Sequence, residues 1–215
     1  MNKLNMKNLH RKAVCGKKNP ARFLDLVWTH SIIVKKICLE IVSNLNKNVC
    51  FKIDKELLKI GALVHDIGVY FCFDEDFNPD KKAPDYFYHG WQGEKFLRSQ
   101  GINDNRILRF TTIHTGVGIT KEDIKREKLN LPKKDFIPVS LEEEILTFAD
   151  KFHTKAPAFV DFNEAKNKLE KFDIAKGVKM DLYRKKFGLP NLDNLKKEYR
   201  DWHKEFKNFW EEVRG

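Results

Sequence analysis

From about Leu24 to Asn46 the apolar residues Val27, Ile33, Val34, Ile37, Ile41, Val42 and Leu45 recur at helical spacing, and His30 falls in the same stripe. The pattern predicts an amphipathic helix that carries an imidazole on its buried face. Residues 1–20 before it are rich in Lys and Asn, lack a sustained apolar face and end at Asn19-Pro20, which marks a basic N-terminal arm or a short helix. Asp54 can cap a second helix that runs through Leu57, Leu58, Gly61 and Val64 to Asp66, with Gly68 placed as its left-handed stop. Gly61, one turn before His65, leaves room for a neighbouring helix to approach closely.

Residues 69–88 are aromatic, acidic and proline-containing, with no clean period, and read as a long loop of the kind that often acts as a lid. Its aromatic residues, Tyr70, Phe71, Phe73, Phe77, Tyr86, Phe87 and Tyr88, could stack on a base or pack the loop down as a satellite cluster. His89 opens a helix that ends at Gly101, and Asn103 or Asp104 begins another that leads to His114, where Gly116 and Gly118 end the helix. Residues 120–138 hold a short charged amphipathic segment and two prolines. Ser140 with Glu143 reads as a capping box opening the helix that carries Ile145, Leu146, Ala149 and Asp150.

After Asn163 two long helical patterns remain, broken near Gly188-Leu189-Pro190. The last contains the stripe Leu195, Tyr199, Trp202, Phe206, Phe209, Trp210 and Val213, which predicts docking onto the domain; a homodimer seam is the alternative use of it. The expected fold is therefore all-α: a basic arm over 1–20, then one domain over 21–215 with a C-terminal helical extension.

Composition narrows the setting. Cys15, Cys38, Cys50 and Cys72 show neither CxxC spacing nor the density of a disulfide scaffold, so reduced thiols in a cytoplasmic protein are expected. The N-terminus is polar and basic, and no run approaches the roughly 18–20 apolar residues that span a bilayer, so no membrane partner is expected. A net charge of +10 favours anionic partners. The basic residues are dispersed and accompany no recognition motif, so a small phosphoester or nucleotide is favoured over nucleic acid.

The chemistry concentrates in His30, His65, Asp66, His89, His114 and Asp150. Imidazole and carboxylate donors together suit borderline divalent ions such as Mn, Fe, Zn, Ni or Co, whereas calcium or magnesium favours oxygen alone. Asp150 lies one turn beyond Leu146 and so on a buried face, where an unpaired carboxylate is costly and a metal removes the cost. Lys151 beside it could bind a substrate phosphate, while His10 and His203 have no metal-like context.

The order His, His-Asp, His, His, Asp, with His65-Asp66-Ile67-Gly68 at its centre, resembles the HD superfamily of metal-dependent phosphohydrolases. The segment from Ile113 to Glu122, followed by Leu131-Pro132 and by Leu141 to Lys151, is similar to an uncharacterised HDIG-type subgroup. The resemblance covers about residues 25–155 and implies an HD-domain helical bundle. It further implies that His30, His65, Asp66 and Asp150 hold one ion and that His89 and His114 hold a second, with Asp66 bridging as the catalytic aspartate. A phosphohydrolase acting on a nucleotide or related phosphoester through metal-activated water is then expected. The His114-Thr115-Gly116 segment is similar to one in HD-type diadenosine tetraphosphatases. The alternatives carried by the same ligand pattern are a di-iron oxygenase and a non-catalytic nucleotide-sensing module.

Overall fold

The computed structural model describes residues 5–17, 19–46, 52–73, 86–155 and 158–214. Eleven α-helices make up the described chain: α1 (Met6–Ala13), α2 (Pro20–Asn44), α3 (Lys55–Val64), α4 (His89–Ser99), α5 (Asn105–Thr112), α6 (Lys121–Arg126), α7 (Leu141–Ala149), α8 (Phe162–Glu170), α9 (Ile174–Phe187), α10 (Asp193–Glu198) and α11 (Arg200–Arg214). Three short 3-10 turns, Ile67–Phe71, Tyr86–Tyr88 and Asp150–Phe152, link them. One two-residue antiparallel pair, β1 (His153–Thr154) with β2 (Ala158–Phe159), is the sheet found among the described residues. No helix of the described chain is long and apolar enough to cross a membrane.

The central helix α2 runs through two apolar clusters. Phe23, Leu26 and Val27 belong to one, with Val64, Ile67, Tyr70 and Leu97; Ile33, Val34, Ile37 and Ile41 belong to the other, with Leu58, Ala62, Leu146, Phe148 and Tyr183. His30 lies on α2 between these two sets. The same division runs through α3, whose Leu58 and Ala62 pack on one side and Val64 on the other. Both elements thus lock their outer turns by apolar burial, worth roughly 1.5–3 kcal/mol per large side chain, and leave polar groups at the seam.

Helix ends are fixed where the sequence supplies a cap. Asp54 accepts from the Leu57 N–H at 2.9 Å and Asp104 from the Arg106 N–H at 2.9 Å. At α7 the expected capping box is only half formed. Ser140 Oγ accepts from the Glu143 N–H, but the Glu143 carboxylate is drawn away to the Val139 N–H and to the Arg109 guanidinium, a charge-assisted pair that outweighs a single return bond. The full capping box is instead Thr120 with Asp123 on α6, inside the segment read only as charged and amphipathic. The two helical patterns after Asn163 resolve into four helices, α8 to α11. In the terminal stripe Leu195, Tyr199 and Trp202 pack against the core, and Phe206 is buried in it. Phe209, Trp210 and Val213 have side chains outside the described residues.

Gly61 behaves as its position suggested: a Cβ there would overlap the Phe110 ring of α5. Gly68 does not. Its φ is not positive, and it lies within the 3-10 turn rather than at a left-handed stop. It is required by close approach, because a Cβ would overlap the backbone of His89 and Gly93 on α4. Within the 69–88 segment, Tyr70 and Phe73 are buried in the core, and the acidic run and Phe77 fall outside the described residues.

His10 of α1 is fully buried. A carbonyl can only accept, so its Nε2–H donates to Leu63 O (2.7 Å), and Nδ1 accepts from the Tyr70 hydroxyl (2.9 Å). Burial, resisted by the bond to Leu63, lowers its pKa from 6.5 to about 4.

Two outcomes follow from this packing. Replacing Gly68 by Ala should destabilise the protein by about 3 kcal/mol or more, since backbone atoms cannot swing aside; urea denaturation showing less than about 1 kcal/mol would contradict the close approach. His10 stays neutral in the fold while the unfolded chain takes up a proton, so its contribution is present above pH 6.5 and is lost as pH falls toward about 4. Wild type should therefore lose about 2 kcal/mol between pH 7 and pH 5 that His10→Gln does not lose, as read from paired denaturation curves.

Candidate metal centre

Three helices deliver their C-terminal ends to one point at the seam: α3 with His65 and Asp66, α5 with His114, and α7 with Asp150. The last carbonyls of a helix carry partial negative charge and favour a cation. Arg109 in the last turn of α5 ties that helix to the first turn of α7, its guanidinium clamping the Glu143 carboxylate at 2.6 and 2.9 Å and also donating to Ile137 O at 2.8 Å. Glu142, next to Glu143 in the first turn of α7, accepts from the Asp54 N–H at 2.8 Å and ties that same end to the start of α3. His30 enters from the middle of α2, and His89 from the first turn of α4.

All six residues singled out in the sequence are buried and meet there. One ligating atom from each of His30, His65, Asp66 and Asp150 lies within 4.8 Å of the others, and the same holds for Asp66, His89 and His114. Asp66 belongs to both groups and divides its oxygens between them. Oδ2 lies 3.0 Å from His30 Nε2 and 3.2 Å from His65 Nε2, while Oδ1 lies 3.3 Å from His89 Nε2 and 3.2 Å from His114 Nε2. Asp150 Oδ1 faces His30 Nε2 at 3.2 Å and His65 Nε2 at 3.3 Å.

The hydrogen bonds behind the rings decide what the inner nitrogens offer. His65 Nδ1 is 2.8 Å from Ala62 O and His114 Nδ1 is 3.0 Å from Phe110 O, and carbonyls require an N–H there. A neutral ring so pinned presents its Nε2 lone pair inward, which is the metal-binding tautomer. In His65 that lone pair faces two carboxylate oxygens, an arrangement that is stable only with a positive charge between them. The donor set therefore fits a divalent ion at each group. A proton also answers that need at His65. Burial disfavours the cation, yet Asp66 and Asp150 push its pKa up to about 9. Burial likewise resists ionisation of Asp66, but His65 and Lys155 hold its carboxyl well below the usual range. For His114 burial dominates and lowers the pKa to about 3, so the ring is neutral.

Lys151, the residue read as a phosphate binder, donates to Asp150 Oδ2 at 2.7 Å and to His114 O at 3.0 Å. Two groups at the centre had gone unassigned, and His203, read as having no metal-like context, lies behind them. Lys155 brings its ammonium to 2.6 Å from Asp66 Oδ2, because β1 turns the chain back over the site. His153 lies behind His30 with the two Nδ1 atoms 2.8 Å apart, and His203 of α11 contacts His153. The first two lie within five residues of Asp150, which was the available signal; fifty positions separate His203 from His153, and no periodicity links them. A narrow crevice lined by Phe87, Trp91, Thr115 and Phe136, among others, opens beside His89 and His114.

Comparison with known proteins identifies the family. The family model described as HD domain matches residues 27–155, more than half of the chain. An uncharacterised protein of Methanocaldococcus jannaschii is 33% identical over 147 residues, covering 67% of this chain and 76% of that protein. A tRNA (cytidine(56)-2'-O)-methyltransferase of Picrophilus torridus is 33% identical over 126 residues, or 59% of this chain. The chain spans only 31% of that methyltransferase's length. Among solved structures, the HD domain of the L. monocytogenes phosphodiesterase PgpH in complex with cyclic-di-AMP superposes with a TM-score of 0.50 at 16% identity, over 88% of this chain and 96% of that one. This likeness shows the shared helical fold.

Metal binding to this centre should be measurable as stability. Occupancy at 100 times the dissociation constant contributes about 2.7 kcal/mol per site, so chelator-stripped protein should gain roughly 5–10 °C in Tm on addition of saturating Mn. A calorimetric scan with no upward shift would count against the fit.

Proposed function

This chain belongs to the HD-domain family, and from that premise we propose that it is a metal-dependent phosphohydrolase acting on a nucleotide or related phosphoester. The observation that carries the reading is the division of Asp66, whose two oxygens face two separate sets of imidazoles. His30, His65, Asp66 and Asp150 would hold one ion, and His89 and His114, with Asp66 as the bridge, a second. Divalent ions bound there would lower the pKa of a water and neutralise the charge of a phosphoryl group. The mixed nitrogen and oxygen donors favour Mn, Fe, Zn, Ni or Co.

The chain's own residues supply the rest. Asp66 fixes the spacing of the two positions and takes the catalytic role. Lys151 and Lys155 place ammonium groups at the rim of the carboxylates, within reach of a phosphate once cations satisfy Asp66 and Asp150. Phe87, Trp91 and Phe136 line the crevice next to Gly90 and Thr115, the chain neighbours of His89 and His114, and pack together as a satellite cluster beside the site. The net charge of +10 helps to draw in an anionic substrate. A nucleotide is also the ligand in the PgpH complex of the same fold. The methyltransferase name of the shorter match is not carried over, because most of that protein lies outside the match.

With Mn or Co, the protein should hydrolyse at least one of a panel of nucleoside mono- and triphosphates, diadenosine polyphosphates, cyclic-di-AMP and a chromogenic phosphodiester. Chelator and Asp66→Ala should each reduce the rate to background. Asp66→Ala should also weaken retention of both ions by more than about 100-fold, beyond the loss typical of an outer hydrogen-bond partner, whereas His89→Ala should lose one ion. A metal-replete protein that hydrolyses none of the panel and instead consumes oxygen would replace this reading with an iron oxygenase.

A further inference from the structure

Behind the proposed first ion position, three imidazoles run in line from the buried carboxylates toward the surface. His30 Nδ1 lies 2.8 Å from His153 Nδ1, and His153 Nε2 lies 2.9 Å from His203 Nε2. The ring centroids are 5.0 and 5.2 Å apart and the planes differ by only 32° and 37°. His30 and His153 are 0% and 2% exposed, while His203 is half-buried, so the row connects the interior to solvent. The alignment is built into the fold. Trp202 Nε1 donates to Asp25 Oδ2 at 3.0 Å and so pins α11 to α2, five residues before His30, and Phe159 of β2 packs against both His153 and His203.

A hydrogen bond between two ring nitrogens contains one proton, so each ring's state dictates the next. For His30 to offer the lone pair of Nε2 to an ion, its proton must be on Nδ1, donated to His153 Nδ1. His153 must then carry its proton on Nε2 and donate it to His203 Nε2. The reverse polarity would place the His30 proton on Nε2, between Asp66 and Asp150, where an ion has to enter. His65 and His114 solve the same problem with a backbone carbonyl, whereas His30 has a second imidazole in that place.

We propose that His153 and His203 are positioning residues which, as a directional imidazole row, hold His30 in its metal-binding tautomer and thereby set the affinity of the first ion position. The proposal rests on the assignment of His30 as a ligand. His153 needs only to accept at Nδ1, a role the amide oxygen of Asn reproduces, whereas Gln places its oxygen near the Nε2 position and Leu has none.

The test is Co2+ affinity of the full chain by chelator competition, with the visible spectrum of bound Co2+ as a second readout, in a His89→Ala background that isolates the first position. His153→Leu and His153→Gln should bind Co2+ about 10–100-fold more weakly, and His153→Asn should stay within about threefold of the parent. His203→Leu should weaken binding in the same direction by less, and His203→Gln should restore it. Should the Leu variant fail to fold, the ranking of Asn above Gln decides. Equal affinities for Asn, Gln and the parent, with unchanged spectra, would overturn the row as a positioning device. A His89→Ala parent that binds no Co2+ would overturn the ligand assignment itself, and absence of phosphohydrolase activity would leave the metal result standing.

Discussion

The rest of the structure depends on keeping two carboxylates charged in a place from which water is excluded. Asp66 is 0% and Asp150 8% exposed, and an ion taken out of water costs several kcal/mol unless opposite charge replaces the solvent. Three helix C-termini that end at the same point add partial negative charge rather than relieving it. Only cations satisfy this arrangement. The chain's own cations here are the His65 imidazolium and the Lys151 and Lys155 ammonium groups. A sequence selected for stability alone would have placed apolar residues at these positions, so the retained charge marks a function.

Packing explains how so unfavourable a cluster is tolerated. The apolar core is divided in two along α2 and α3, and the polar residues occupy the join. Each half anchors one end of these helices, and the Arg109–Glu143 clamp with the Gly68 approach to α4 fixes the remaining elements. The rings of His65, His114 and His30 are then constrained from behind, by Ala62 O, Phe110 O and the His153 ring, so their inner nitrogens are preorganised. The stability of the two apolar halves offsets the cost of the seam.

Much of this was legible in the sequence where local rules apply. The stripe around His30, the cap at Asp54 and the positive-φ Gly101 after α4 all follow from helix periodicity and end chemistry, whereas α5 stops at Thr112, before the Gly116 and Gly118 read as its end. The six clustered residues were found through the order of His and Asp along the chain, because each lies at a helix start, a helix end or on an inward face. What escaped depends on distance in sequence. Gly68 was read as a local stop, but its constraint comes from the backbone of α4, which no local pattern encodes. Glu143 was assigned to its own helix, but Arg109 of another helix claims it. Lys155 reaches the centre through a strand reversal, with only its nearness to Asp150 to suggest it, and His203 reaches His153 from a terminal helix, a contact of which its spacing carries no trace.

The central claim is that this buried charge is organised around two cations bridged by Asp66. Anomalous X-ray scattering from Mn-soaked crystals, collected at the metal edge, tests it most directly. The account predicts two peaks, each about 2 Å from a different oxygen of Asp66, one among His30, His65 and Asp150 and the other beside His89 and His114, with Lys155 displaced from Asp66. Crystals grown with saturating Mn that show no peak at this centre, and Lys155 still paired with Asp66, would contradict it.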